Sequence, residues 1–91
     1  MGKRLTVYKF GAVWCGPCKM YVKNFDAVQR VSSDQANFVQ VDIDENEELV
    51  QKFNIRAVPT TVITRDGVGV YRKTGIMTEQ DLTNAINLYN V

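Results

Sequence analysis

The chain has 91 residues, no histidine and only two cysteines. A structural zinc site usually takes four cysteine or histidine ligands. A zinc site within one chain is therefore not expected; a zinc bridge between two copies is the form that remains. Charge of one sign is also lacking. Eleven basic residues against ten acidic ones leave a net +1, which offers no electrostatic reason to bind nucleic acid or an anionic membrane. Apolar runs extend only a few residues, so no transmembrane helix is available. The opening MGKRLTVYKF turns polar too quickly for a secretory signal, and Met1 argues against a trimmed one. The expected location is the cytoplasm, where a close thiol pair points to catalysis or metal binding rather than a structural staple. Repeats, low-complexity tracts and linkers are missing too. Residues 1–91 are read as a single domain, since this length supports one compact core and not two.

What is present is an ordinary globular composition, 45% hydrophobic and 23% charged. Leu5 to Phe10 (LTVYKF) is rich in β-branched and aromatic residues and reads as a strand ended by Gly11. A helix begins near Cys15 to Pro17, where proline costs nothing because its N–H would be unpaired anyway. Tyr21, Phe25 and Val28 follow at helical spacing, with Val22 and Val31 widening the stripe. SSDQAN reads as a loop, and Asn37 to Ile43 as a strand with Val39, Val41 and Ile43 on one face. Asp44 or Asn46 is placed to cap a short helix, EELVQKF. TTVIT and VGVYRK are strands joined by an Asp66-Gly67 hairpin turn. Thr78 caps a last helix with Leu82, Ala85, Ile86 and Tyr89 on its apolar face.

The order is βαβαββα, an α/β fold. Two right-handed crossovers are expected to set the first three strands parallel, with the hairpin adding an antiparallel fourth. The expected sheet is four-stranded and mixed, in order 2-1-3-4, with helices on both faces.

Both thiols lie in VWCGPCKM, at Cys15 and Cys18. A thiolate, not a thiol, attacks a disulfide. A helix N-terminus stabilises that anion through its free N–H groups and the positive end of its dipole. Cys15 sits where those groups point, and Cys18 follows almost one turn later. The division of labour this allows is simple. Cys15 attacks a substrate disulfide to make a mixed disulfide, and Cys18 attacks the Cys15 sulfur to release the reduced substrate. The Gly16-Pro17 spacer keeps the second step intramolecular, and Pro17 narrows the geometry of the pair. Two bystander cysteines in a core are a poor fit to a Gly-Pro turn flanked by Trp14.

The run Trp14-Cys15-Gly16-Pro17-Cys18-Lys19 resembles the active-site signature of the thioredoxin family. VDIDEN (41–46) is similar to that family's central strand and its end, and Ile55 to Thr60 to its cis-proline segment. Asp66-Gly67 matches its hairpin, and Gly75 its glycine before the last helix. The likeness spans nearly the whole chain and implies a minimal thioredoxin fold, without the extra first strand and helix of full-length members. It implies that Pro59 is cis and faces Cys15, and that the Val58 backbone pairs with an extended substrate segment. It also places Trp14 on the rim, and Gly75 where a substrate backbone comes close. Read alone, Trp14 fits core filling and Gly75 a turn. No cofactor beyond the Cys15–Cys18 disulfide is implied. The implied partners are protein disulfides and an electron donor, either thioredoxin reductase or the glutathione and glutaredoxin system.

The pattern breaks in three places. Lys9 stands where the family carries a buried aspartate, Gln40 where it carries a partner lysine, and Lys23 where many members have proline. Lys9 is expected to point under the thiols and favour the thiolate, making the disulfide more oxidising. The alternative is that it reaches the surface or pairs with Asp42. The expected function is a monomeric protein disulfide oxidoreductase. A glutathione-reduced, glutaredoxin-like enzyme and a non-catalytic binding subunit are the alternatives.

Overall fold

Leu5–Gly11 (β1) is the strand around which the molecule is built. The computed structural model describes residues 3–90, so Met1, Gly2 and Val91, and the reading placed on Met1, lie outside the described residues. Successive β1 side chains point to opposite faces of the sheet. Leu5 and Val7 join a core with Tyr21, Phe25 and Val28 of α1 (Gly16–Ser32) and with Leu82, Ala85 and Ile86 of α3 (Glu79–Tyr89). Tyr8 and Phe10 face the other way, toward Leu49 and Val50 of α2 (Glu47–Lys52) and the adjoining Phe53. The two cores lie on opposite faces, so helices cover both sides of the sheet.

The sheet runs β2-β1-β3-β4, with β2 at Ala36–Asp42, β3 at Thr60–Arg65 and β4 at Val68–Thr74. This is the expected order. One direction differs from expectation: β1 and β2 are parallel, but β3 is antiparallel to β1. The reason is the length of α2. Six residues of helix advance only about 9 Å at 1.5 Å each. A seven-residue strand runs about 23 Å. The second connection therefore crosses the face without carrying the chain back along it, and β3 sets out from the end where β2 stopped. β4 returns antiparallel to β3. Consequently the end of β1, the start of β3 and the end of β4 meet at one edge, with Phe10 opposite Thr60 and Thr60 opposite Thr74.

The buried stripe of α1 is Cys18, Tyr21, Phe25, Val28 and Ser32, stepping alternately by three and four. Val31, expected on that stripe, is 75% exposed. A step of four from Val28 keeps to the face, and Ser32 takes that place. β2 begins one residue earlier than expected, at Ala36, which is buried and shortens the preceding loop. The hairpin turn has Asp66 at φ 53° and Gly67 at φ 85°. Two positive φ values in a row give the twist that suits a two-residue hairpin. Arg4 clamps this turn with a forked contact to the Asp66 carboxylate, at 2.7 Å for the closest pair. Thr78 caps α3 as expected, its Oγ1 accepting the Asp81 N–H at 3.0 Å. No helix among the described residues is long and apolar enough to cross a membrane.

Candidate active site

Cys15 occupies the N-cap of α1, with an extended backbone at φ −95° and ψ 111°. Its Sγ accepts the Cys18 N–H at 3.2 Å. Pro17 in the first turn has no N–H to offer, so the donors there come from the residues around it. Cys15 and Cys18 are joined as a disulfide, their Cα atoms 5.3 Å apart. Both are buried, at 4% and 3% exposure. The donor that now meets a disulfide sulfur is the one that would stabilise a Cys15 thiolate after reduction.

Opposite the disulfide runs the connection into β3. The Val58–Pro59 peptide bond is cis. The Val58 carbonyl lies 3.8 Å from Cys15 Sγ. Val58 is half-buried and Pro59 buried. The Pro59 carbonyl accepts the Gly75 N–H at 2.8 Å, which ties the end of β4 to this segment. Gly75 has φ +102°, outside the range an L side chain adopts readily, and open space where a Cβ would stand. Asn24 of α1 donates to the Met77 carbonyl at 2.9 Å, holding the segment beyond Gly75 against the helix that carries the thiols.

Trp14 is 66% exposed, which rules out core filling. Its Nε1 donates to Asp44 Oδ2 at 2.9 Å. Asp44 or Asn46 was expected to cap α2; the Asp44 carboxylate serves the indole instead. Asn46 holds the N-cap position and makes no side-chain cap bond; its Nδ2 donates to the Asp42 carbonyl at 2.9 Å. Val13, Met20 and Ile76 are exposed apolar side chains too, at 73%, 67% and 42%. Gly16 and Pro17 are exposed as well.

Lys9 is only 5% exposed. It stands beside Gln40 on β2 and Thr61 on β3 in the register of the sheet. Thr61 is occupied by Tyr21, whose hydroxyl is 2.7 Å from Thr61 Oγ1. Lys9 Nζ lies over the Phe25 ring at 5.8 Å from its centre. Among the described residues no carboxylate comes within ion-pair distance of it, so the expected alternatives, surfacing or pairing with Asp42, are not found. Burial pushes its pKa down, and the charge of Asp26 pushes partly back. Asp26 accepts from Gln40 Nε2 at 3.1 Å. Position alone flagged Lys9; Asp26 carried no sequence signal and Asp44 only one as a helix cap, because each acts through a contact between distant elements.

A redox-active thiol pair at a helix N-terminus, facing a cis-proline segment on a four-stranded mixed sheet, defines a protein of thiol–disulfide exchange. A thioredoxin family model matches residues 2–88. Thioredoxin of Listeria monocytogenes is 33% identical over 85 residues, covering 93% of this chain and 82% of that protein. Thioredoxin 1 of Synechococcus elongatus is 36% identical over 78 residues, with coverages of 86% and 73%. Among solved structures, thioredoxin of Malassezia sympodialis superposes with a TM-score of 0.88 at 33% identity, covering 99% of this chain and 78% of that one. Fasciola hepatica thioredoxin gives 0.87 at 35% identity, with coverages of 97% and 83%. The chain belongs to the thioredoxin family and is a thiol–disulfide oxidoreductase.

Proposed function

We propose that Cys15 is the attacking nucleophile and Cys18 the resolving thiol of a reductant of protein disulfides. The observation that carries this assignment is the Cys18 N–H directed at Cys15 Sγ, 3.2 Å away. It favours the anion on Cys15, while Cys18 belongs to the buried face of α1. Gly16 and Pro17 hold the spacing. The Val58 and Pro59 backbone, with Gly75 beside it, receives an extended substrate segment, and Trp14 forms the rim. Protein disulfides are the substrates and a flavin-dependent thioredoxin reductase is the donor. Residues 1–91 act as one domain, as a monomer, in the cytoplasm, with no cofactor beyond the disulfide.

The test is a trapping experiment joined to a turnover assay. A Cys18→Ser variant accumulates a mixed disulfide between Cys15 and a protein substrate, and Cys15→Ser forms none. Wild-type turnover runs with NADPH and thioredoxin reductase. Turnover that requires glutathione and glutathione reductase instead overturns the donor assignment. A mixed disulfide formed at Cys18 overturns the assignment of the thiols.

A further inference from the structure

Behind the disulfide a cleft of about 520 Å³ opens between the start of α1 and the ends of β1 and β2. That is the size of a pocket for a small organic molecule. Lys9 lines it and is only 5% exposed. An ammonium taken this far out of water is costly unless an anion or several acceptors meet it. Among the described residues no carboxylate lies within ion-pair distance of Lys9, and no acceptor is hydrogen-bonded to it. The Phe25 ring, 5.8 Å from Nζ, offers its face but no lone pair. Nor is Nζ sealed away. Among the described residues the one fully buried side-chain polar atom lacking a partner is Gln35 Oε1. Nζ therefore opens on the cleft with its three N–H donors unspent.

Gly11 shows where a ligand atom fits. A Cβ built on it would lie 3.7 Å from Lys9 Nζ and meet only ordinary contacts. Glycine leaves that place beside the ammonium open to the cleft. Gln40 lines the same cleft. One N–H of its amide goes to Asp26 at 3.1 Å, and the amide nitrogen carries a second. Ala12, Val22 and Val41 supply apolar wall.

The charges around the cleft narrow the ligand further. Lys19 adds a second cation to the lining. Asp26 is engaged by Gln40, and Asp42 turns its Oδ1 to the Asp44 N–H at 2.9 Å. Asp42 also lines the cleft, which disfavours a second negative charge on the ligand. A bare inorganic anion would satisfy Lys9 and leave the valines facing water. One negative end on an apolar body satisfies both.

We propose that this cleft binds a small organic monocarboxylate. Its carboxylate accepts from Lys9 Nζ and from the second amide N–H of Gln40, and its apolar body rests on Val22 and Val41. A free short-chain acid and the carboxylate that ends a peptide both present this chemistry. The site goes beyond the disulfide exchange proposed above and does not rest on it. Cys18 is part of the wall, but no thiol step enters, and Val58 and Gly75 lie outside the lining.

The experiment is an amide NMR titration of the oxidised protein, at constant ionic strength, with sodium isovalerate. Isovaleramide, of the same shape and without charge, is the control. Isovalerate shifts the Gly11, Cys18, Val22, Gln40 and Val41 resonances saturably, with a Kd on the order of 1 mM for a ligand of this size. Isovaleramide binds at least about tenfold more weakly, and so does isovalerate to Lys9→Met. Gly11→Ala keeps the cation but puts a methyl group where the carboxylate sits, and its Kd rises about three- to tenfold. An N-acetylated dipeptide ending in leucine is titrated alongside. If it saturates the same resonances at lower concentration than isovalerate, the site takes peptide ends; if only isovalerate does, it takes free acids. Either result supports the carboxylate site.

Shifts that do not saturate, or that spread evenly over the surface, overturn the proposal. Equal binding of isovalerate and isovaleramide overturns it too, as does wild-type affinity in a folded Lys9→Met. If Lys9→Met does not fold, wild-type affinity in Gly11→Ala overturns it. Because the disulfide stays closed throughout, none of these outcomes bears on the roles assigned to Cys15 and Cys18.

Discussion

Trp14 Nε1 donates to Asp44 Oδ2 at 2.9 Å, joining the loop before α1 to the segment after β2 across 30 positions of sequence. The bond orders an indole that is otherwise mostly in solvent. A typical hydrogen bond contributes about 1 kcal/mol. Asp44→Ala is expected to raise KM for a protein disulfide about two- to fivefold with little change in kcat. Trp14 fluorescence should change with it. An unaltered emission spectrum and KM would show that Asp44 does not order the rim.

Tyr21 ties the stability of the fold to alkaline pH. Burial raises its pKa from 10.0 to about 12, although the hydroxyl is paired with Thr61. The folded protein therefore holds this proton more tightly than the unfolded chain. The stabilisation is complete below pH 10 and is lost as pH climbs to about 12. The loss is on the order of 2–3 kcal/mol. Tyr21→Phe costs about 1–2 kcal/mol at neutral pH by stranding the Thr61 hydroxyl. It should also flatten the decline between pH 10 and 12 in chemical denaturation. A variant that keeps the wild-type decline would assign it to another group.

Lys9 works in the opposite sense. Its folded pKa lies below 10.5, because burial disfavours the ammonium. The unfolded chain then binds the extra proton, and stability rises with pH between the folded value and 10.5. In the oxidised protein, where neither thiol titrates, Lys9→Met should melt several degrees higher at pH 7. Its advantage should shrink as pH approaches 10. An advantage independent of pH would show that the folded protein leaves the Lys9 pKa at its ordinary value.

Gly75 combines φ +102° with open space at its Cβ position. Gly75→Ala therefore meets no clash and reports backbone strain alone, about 1–3 kcal/mol. Because its N–H is bonded to the Pro59 carbonyl, the strain falls on the proposed substrate-binding edge. Turnover should drop further than stability alone explains. Equal losses in a variant remote from the site would contradict that coupling.

The elements were legible because each rests on local chemistry. The Gly-Pro turn placed the start of α1, Asp66-Gly67 placed the hairpin, and Thr78 placed the start of α3. The thiol pair was legible for the same reason, since its spacing is set within one helical turn. Val31 was misplaced because two valines three and six residues beyond Phe25 satisfy a loose periodicity, while the real stripe steps to Ser32. The direction of β3 was misjudged because strand–helix–strand order alone does not say how far a six-residue helix carries the chain.

The sequence by itself determined the strands, the helix starts, the thiols and their chemistry, because φ/ψ preference, capping and hydrophobic period act within a few residues. Only the tertiary structure decided that β3 runs against β1, that Trp14 leans on Asp44, and that Lys9 lies buried with no carboxylate of the described residues within ion-pair distance. These depend on which distant groups share a dry space. A lysine codes for a charge, and its surroundings decide whether that charge is solvated, paired, or left beside a thiol.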